Sequence, residues 1–248
     1  MKNHFGNAFF GVKDFLGFFN GVQKAIHSVD GVAGTYTGDN LFTFHKNLSF
    51  LDDLEFVEAH SRHAVTEVEK STIWRAAVVL WGFRHGLKLE GDFIECACYR
   101  GTTARIICDV VKFEKFLDRK YYLYDLFDHN PGLAHHAMPA HSKTLFREVR
   151  QRFSDCTNVM VNQGEVPAVL KKNSPSKIAF LHLDLNNKEA ELAALEILFP
   201  RIVPGAIIVL DDYGWLGYRE QRLAEEPWFA ERGCSVLELP TGQGLVIR

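Results

Sequence analysis

The stretch DFIECACYRGTTARIICDVVKF, residues 92–113, decides the fold. Its first part, DFIECACY (92–99), is a short apolar run that opens onto Arg100-Gly101. From Thr103 to Phe113 the spacing turns helical. An apolar run of strand length, a glycine-bearing turn and a helix make one half of a β-α-β unit. The same order recurs downstream. KYYLYDLF (120–127), NVMVNQG (158–164), KIAFLHLDL (177–185) and AIIVLDD (206–212) predict four further strands. KIAFLHLDL is continuously apolar, as strands buried on both faces are. Residues 142–153, Glu189–Phe199 and Tyr218–Arg232 predict helices, and HNPGLAHHAMPAH (129–141) predicts a loop. CSVLELPTGQGLVIR (234–248) reads as two strands joined by a Gly-containing turn. Strands that alternate with helices predict a parallel sheet covered on both faces. Five such strands and a terminal hairpin give an α/β, Rossmann-like, seven-stranded sheet, parallel except at its C-terminal antiparallel hairpin.

Upstream of this pattern the chain has another character. Residues 1–88 show helical spacing and few strand signals, so we expect a helical N-terminal segment (1–88) before one α/β domain (89–248). Phe15, Phe18, Phe19, Val22 and Ile26 fall on one helical face. That face packs on its own domain or serves as an oligomer contact, and a homo-oligomer is expected. Trp74, Ala77, Val78 and Trp81 share another face, while Gly31–Asn40 (GVAGTYTGDN) reads as loop.

Composition narrows the classes. Of the 248 residues, 47% are hydrophobic and 24% charged, which excludes a disordered or fibrous chain. A net charge of -3 argues against a nucleic-acid partner, whose binding proteins are usually basic. No apolar run is long enough to span a bilayer. The Phe-rich N-terminus is interrupted by Lys13 and Asp14 and lacks a cleavage signature. Cys96, Cys98, Cys108, Cys156 and Cys234 have no zinc-site spacing and read as free thiols, which suits a reducing, cytoplasmic setting.

In an open parallel sheet, ligands bind beyond the carboxyl ends of the strands. The first strand contains Glu95 and leads to Tyr99-Arg100-Gly101-Thr102-Thr103, and the other ends carry Asp125, Gln163-Gly164, Asp184 with Asn186 and Asn187, and Asp211-Asp212. An acid after the second strand suits ribose hydroxyls. The first turn has only Gly101, without the glycine fingerprint of nicotinamide enzymes, which points to a nucleoside ligand lacking a pyrophosphate. Asp184, Asp211 and Asp212 on adjacent strands could together hold a hard divalent cation, Mg²⁺ rather than zinc. The alternative is that Asp211 caps a helix and Asp212 is solvated.

GDFIECACYRGTTA, YYLYDLFD, QGEVPAVL, AFLHLDLNN, FPRIVPGAIIVLDDYGW and LPTGQGLVIR, in this order, resemble class I S-adenosylmethionine-dependent methyltransferases. More narrowly, they resemble the macrocin and mycinamicin sugar O-methyltransferases over residues 88–248. The resemblance implies that S-adenosyl-L-methionine binds at Glu95, Ala97, Tyr99, Arg100, Gly101, Thr102, Thr103, Asp125, Gln163, Gly164 and Val166. It implies Mg²⁺ ligation by Asp184, Asp211 and Asp212, and transfer to a hydroxyl of a sugar, a glycosylated small molecule or a glycan precursor. A catechol-like diol is the alternative acceptor, and a binding module without turnover the alternative function. Two positions depart from the family pattern. Ala97 stands where a glycine is usual, and Asn186 where some relatives have a proposed general base. Asp184, His182 and Asn186 are the expected catalytic group; His135, His136, His141 and Lys188 are the other candidate bases.

Overall fold

The computed structural model describes residues 2–29, 34–129 and 138–248. In chain order its elements are β1 (His4–Phe5), α1 (Phe15–Ser28), β2 (Tyr36–Gly38), β3 (Leu41–Thr43), α2 (Leu54–His63), α3 (Glu67–Ser71), α4 (Ile73–Gly86), β4 (Asp92–Cys96), α5 (Thr102–Val111), β5 (Tyr121–Asp125), α6 (Leu145–Arg152), β6 (Val159–Gln163), α7 (Ala168–Lys172), β7 (Ile178–Leu183), α8 (Lys188–Leu198), β8 (Ile202–Leu210), α9 (Arg219–Ala230), β9 (Leu237–Glu238) and β10 (Gly244–Ile247). Two compact units divide inside α4, at Ala77/Val78. No helix among the described residues is long and apolar enough to cross a membrane.

The first unit is not only helical. β1, β2 and β3 form a small sheet in that order, with β1 parallel to β2 and β2 antiparallel to β3. The expected loop at 31–40 is corrected here: from Tyr36 onward it is the first strand of a hairpin. Gly38 pairs with Leu41 across the two-residue turn Asp39-Asn40. Both turn residues have left-handed backbone, φ 52° and 57°, the conformation that a tight hairpin turn requires. Arg75 holds the turn with two hydrogen bonds of 2.7 Å to the buried Asp39 carboxylate. Three-residue strands are too short to show periodicity, which is why the reading of residues 1–88 as helical overlooks them.

The second unit carries the seven-stranded sheet, in the order β6-β5-β4-β7-β8-β10-β9. β4 to β8 are mutually parallel, and β10 runs antiparallel to both β8 and β9. One face of the sheet buries Ile94, Cys96, Leu181 and Leu183 with Leu195, Leu198 and Phe229. The other carries an aromatic cluster in which Phe83 lies 4.1 Å from Phe93 and 5.0 Å from Tyr121, ring centre to ring centre. Phe83 comes from the second half of α4, which approaches the sheet closely. A β-carbon at Gly86 would stand 2.8 Å from the Ala179 carbonyl oxygen, so only glycine fits there. β8 starts at Ile202, ahead of the expected Ala206, because Ile202 pairs with Ile178 before a register shift carries the strand past Pro204. All five cysteines are free.

The chain order reverses direction at β4. It runs outward through β5 and β6, then returns to β7 on the other side of β4. This reversal opens a crevice above the carboxyl ends of β4 and β7, where ligands of such sheets bind.

Candidate active site

A cavity of about 430 Å³ occupies this crevice, and residues that follow β4, β5, β6 and β7 line it. Among the expected site residues, Ala97, Tyr99, Asp125, Gly164, Val166, Asp184 and Asn186 line it, and so does His141. The turn after β4 is strained: Ala97 and Tyr99 have left-handed backbone, φ 65° and 49°. It is fastened to β5 by the Ala97 N–H and Cys98 N–H, which donate to the Tyr124 carbonyl at 2.7 and 3.1 Å. Gly101, φ 67°, then opens α5.

Asp125 ends β5 and is nearly buried. Its Oδ2 accepts the Tyr99 N–H at 2.7 Å and its Oδ1 the Phe127 N–H at 2.6 Å. His141 Nε2 stands 3.5 Å from Oδ1. The carboxylate is thus held by one backbone N–H on each oxygen, an arrangement that suits a carboxylate taken out of water. Gly164 donates its N–H to the Asp125 carbonyl at 3.0 Å, which ties the end of β6 to the same corner.

On the other side, Asp184 follows β7 and Asp211 follows β8. The Asp184 N–H donates to the Cys96 carbonyl at 3.1 Å and the Asp211 N–H to the Leu183 carbonyl at 2.9 Å, so each acid is set by the neighbouring strand. One carboxylate oxygen from each of Asp184, Asp211 and Asp212 lies within 4.8 Å of the other two. Asp211 and Asp212 are buried. The capping alternative for Asp211 does not hold, since α9 opens only at Arg219; nor is Asp212 solvated. Three carboxylates this close repel one another unless a cation sits among them. An all-oxygen set suits a hard dication such as Mg²⁺, so the residues fit the expected metal.

Beneath these acids lies a polar network. His182 Nε2 is 3.3 Å from Asp211 Oδ1 and its Nδ1 is 3.8 Å from Glu95 Oε1. The Tyr121 hydroxyl donates to Glu95, and Gln243 donates to Asp211 Oδ1 at 2.8 Å. Burial lowers the His182 pKa, but its contacts with Asp211 and Glu95 outweigh that and hold it well above the usual imidazole range. The buried His182 lies between the Asp211 and Glu95 carboxylates and does not line the cavity.

The other expected residues lie around the cavity as follows. Glu95 does not face the cavity. It lies within β4, in register with His182 on β7, and is buried against Tyr121. Arg100, Gly101, Thr102, Thr103 and Gln163 adjoin the cavity without lining it; Gln163 instead donates to the Leu126 carbonyl at 3.1 Å. Asn186, φ 55°, donates to Asp184 Oδ1 at 3.2 Å, which holds the acid instead of accepting a proton. Lys188 faces Glu189 and Glu220 at 3.7 and 3.8 Å. His135 and His136 lie outside the described residues. Sequence reasoning missed Leu126, Met138, Pro167 and Leu185 as lining residues. Each lies close behind a strand end, which is the signal that could have found most of them.

A reversed α/β sheet with a hairpin edge and an acid-rimmed crevice is the architecture of class I methyltransferases. The family model described as macrocin O-methyltransferase (TylF) matches residues 86–226, more than half of the chain. The protein belongs to that family and is an O-methyltransferase. Among solved structures, the O-methyltransferase NovP is similar with a TM-score of 0.60 at 18% identity, over 78% of this chain and 88% of that one. The calicheamicin methyltransferase CalS11 is similar with a TM-score of 0.55 at 15% identity, over 89% and 98%. TomG of Streptomyces achromogenes has a TM-score of 0.50 at 12% identity, over 82% and 90%. At such identities these likenesses speak for the fold. No curated protein sequence matches the chain.

Proposed function

We propose that the protein transfers a methyl group from S-adenosylmethionine to a hydroxyl of a sugar, borne by a small molecule or a glycan precursor, with Mg²⁺ held by Asp184, Asp211 and Asp212. The observation that carries this reading is the meeting of two differently built acids at one cavity: Asp125 held by backbone N–H donors, and Asp184 in a cluster of carboxylates. Bound there, the cofactor supplies the methyl group of an S_N2 transfer, and the cation supplies positive charge beside the acceptor oxygen.

The chain's own residues do the rest. Asp125 Oδ2 accepts a single backbone N–H and so retains a lone pair for a ribose hydroxyl. The left-handed turn at Ala97 and Tyr99 forms the wall beside the methionine part. Val166 and Gly164 border the adenine. His182 and Gln243 hold Asp211, and Asn186 holds Asp184, so the acids keep their positions as charge changes beside them. Membership of the macrocin family supports a sugar acceptor. CalS11, a TDP-rhamnose 3′-O-methyltransferase, supports the same class.

The test is calorimetry followed by turnover. We expect S-adenosylhomocysteine to bind without metal, Mg²⁺ to bind the wild type, and Asp184→Ala to lose the metal while keeping the nucleoside ligand. Turnover of a panel of nucleotide-linked sugars, glycosides and catechols then separates the acceptors. If Asp184→Ala methylates in the presence of chelator at the wild-type rate, the metal assignment is wrong. A catechol as the preferred substrate would displace the sugar reading.

A further inference from the structure

His141 belongs to the loop after β5, where a histidine is ordinarily solvated. Here its side chain is 7% exposed and faces the cavity. Its Nδ1 accepts the Met138 N–H at 3.3 Å, and its own N–H donates to the Met138 carbonyl at 3.0 Å. A ring nitrogen that accepts carries no proton, so the ring proton sits on Nε2. Nε2 is the atom that stands 3.5 Å from Asp125 Oδ1, so the ring's N–H edge faces the carboxylate at contact range.

Tyr99 completes the arrangement from the opposite side. Its N–H donates to Asp125 Oδ2 at 2.7 Å, while its phenol oxygen accepts the Ala140 N–H at 2.7 Å. Its ring meets the His141 ring edge to face, with centres 5.6 Å apart. Ser142 N–H closes the segment onto the Phe127 carbonyl at 3.0 Å. Residues 138–142 are thus pinned at one end by β5's own exit and at the other by a tyrosine from the turn after β4. The imidazole between them is the link whose two nitrogens face in two directions.

We propose that His141 is a positioning residue for the cofactor. It fastens residues 138–142 beside the Asp125 carboxylate and fixes that carboxylate's orientation, so that its remaining lone pair faces a ribose hydroxyl and Met138 forms a wall of the same cavity. This role rests on the reading that Asp125 holds the ribose. It differs from a general base: the protonated nitrogen points at the cofactor's acid, and the acceptor nitrogen is engaged by backbone.

Glutamine at this position can carry an amide N–H about as far as Nε2 reaches, whereas alanine cannot. Calorimetric binding of S-adenosylhomocysteine to the full chain, with melting temperatures alongside, tests the assignment. His141→Ala should weaken binding by about tenfold, the loss of one polar contact with a charged group that orders the site. His141→Gln should recover to within about threefold of wild type by restoring that donor, with both melting temperatures within about 2 °C of wild type. If wild type binds and His141→Ala binds equally well, the assignment fails while the cofactor reading stands. If His141→Gln is as weak as His141→Ala, with or without a fall in melting temperature, the link through Asp125 is overturned. If wild type does not bind, the cofactor reading itself fails and the assignment falls with it.

Discussion

The two sides of the cavity handle buried negative charge in opposite ways. Asp125 is satisfied by backbone N–H groups and one imidazole, all within the chain. Asp184, Asp211 and Asp212 instead converge on one another, and His182, Gln243 and Asn186 relieve only part of the repulsion. The first arrangement is complete before any ligand arrives. The second invites a cation. A third arrangement lies behind it, where Glu191 of α8 and Glu225 of α9 are both buried. Burial comes first and their mutual contact second in pushing the Glu191 carboxyl well above the usual range. Backbone donors, converging acids and a buried acid pair are three ways of placing carboxyl groups, and they predict three different kinds of dependence.

The largest effect is expected on the convergent side. Asp211→Ala removes a cation ligand and strips His182 of its closest acid. Turnover should fall by about a hundredfold or more, as when a preorganised charge is lost from a site. Binding of S-adenosylhomocysteine should stay within about threefold, because nothing on the Asp125 side is touched. Asp125→Asn should give the reverse pattern. The shape is kept, but an amide cannot accept two N–H groups and a hydroxyl at once. Cofactor binding should weaken by about 10- to 100-fold, with Mg²⁺ binding unchanged. A variant on either side that impairs both ligands equally would erase the distinction between the sides.

This division was only half legible in the sequence. Asp125, Asp184 and Asp211 could be named because each directly ends an apolar run, and a strand end is visible as a change of polarity. The surroundings of Glu95 were less legible. It lies inside its run and not at the end of it. Its partners, Tyr121 and His182, come from neighbouring strands whose register no single sequence states. The role of His141 was equally hidden. It depends on a loop folding back to the acid that precedes it, through backbone bonds that any residues could make. The large sheet was legible because its strands are continuous and apolar. The β2–β3 hairpin was not, since its signal is a two-residue turn flanked by three-residue strands.

The buried Glu191–Glu225 pair yields a dependence on pH. Glu191 accepts the Leu185 N–H at 3.1 Å and so also steadies the turn that carries Asp184. Both carboxyls are raised above the range they have in an unfolded chain. Their stabilising contribution is therefore full below about pH 4.5 and is lost as pH rises through the folded-state value. Glu225→Gln keeps one hydrogen-bonding group and removes one ionisation. It should raise the melting temperature at pH 8 by several degrees and change it less at pH 5, read by calorimetric melts at both. A stabilisation larger at pH 5 than at pH 8 would show that the two carboxyls are not raised in the folded chain.

The smallest effect concerns the wall between the two sides. Ala97 pays for its left-handed backbone, about 1–2 kcal/mol for a residue bearing a β-carbon. Ala97→Gly would relieve it, but glycine gains freedom in the unfolded chain and gives back about 0.4–1 kcal/mol. The net gain is about 0.5 kcal/mol, a rise of at most about 2 °C in a domain of this size. The alanine methyl lines the cavity, on the cofactor side. Its removal should therefore change S-adenosylhomocysteine affinity while leaving Mg²⁺ binding alone. Tighter binding would mean that the methyl narrows the approach to the cofactor. Weaker binding would mean that the methyl is a contact the cofactor uses, and that the strain is retained for it. An equal change in both affinities would show that the turn after β4 couples the two sides, which the separate anchoring of Asp125 and Asp184 argues against.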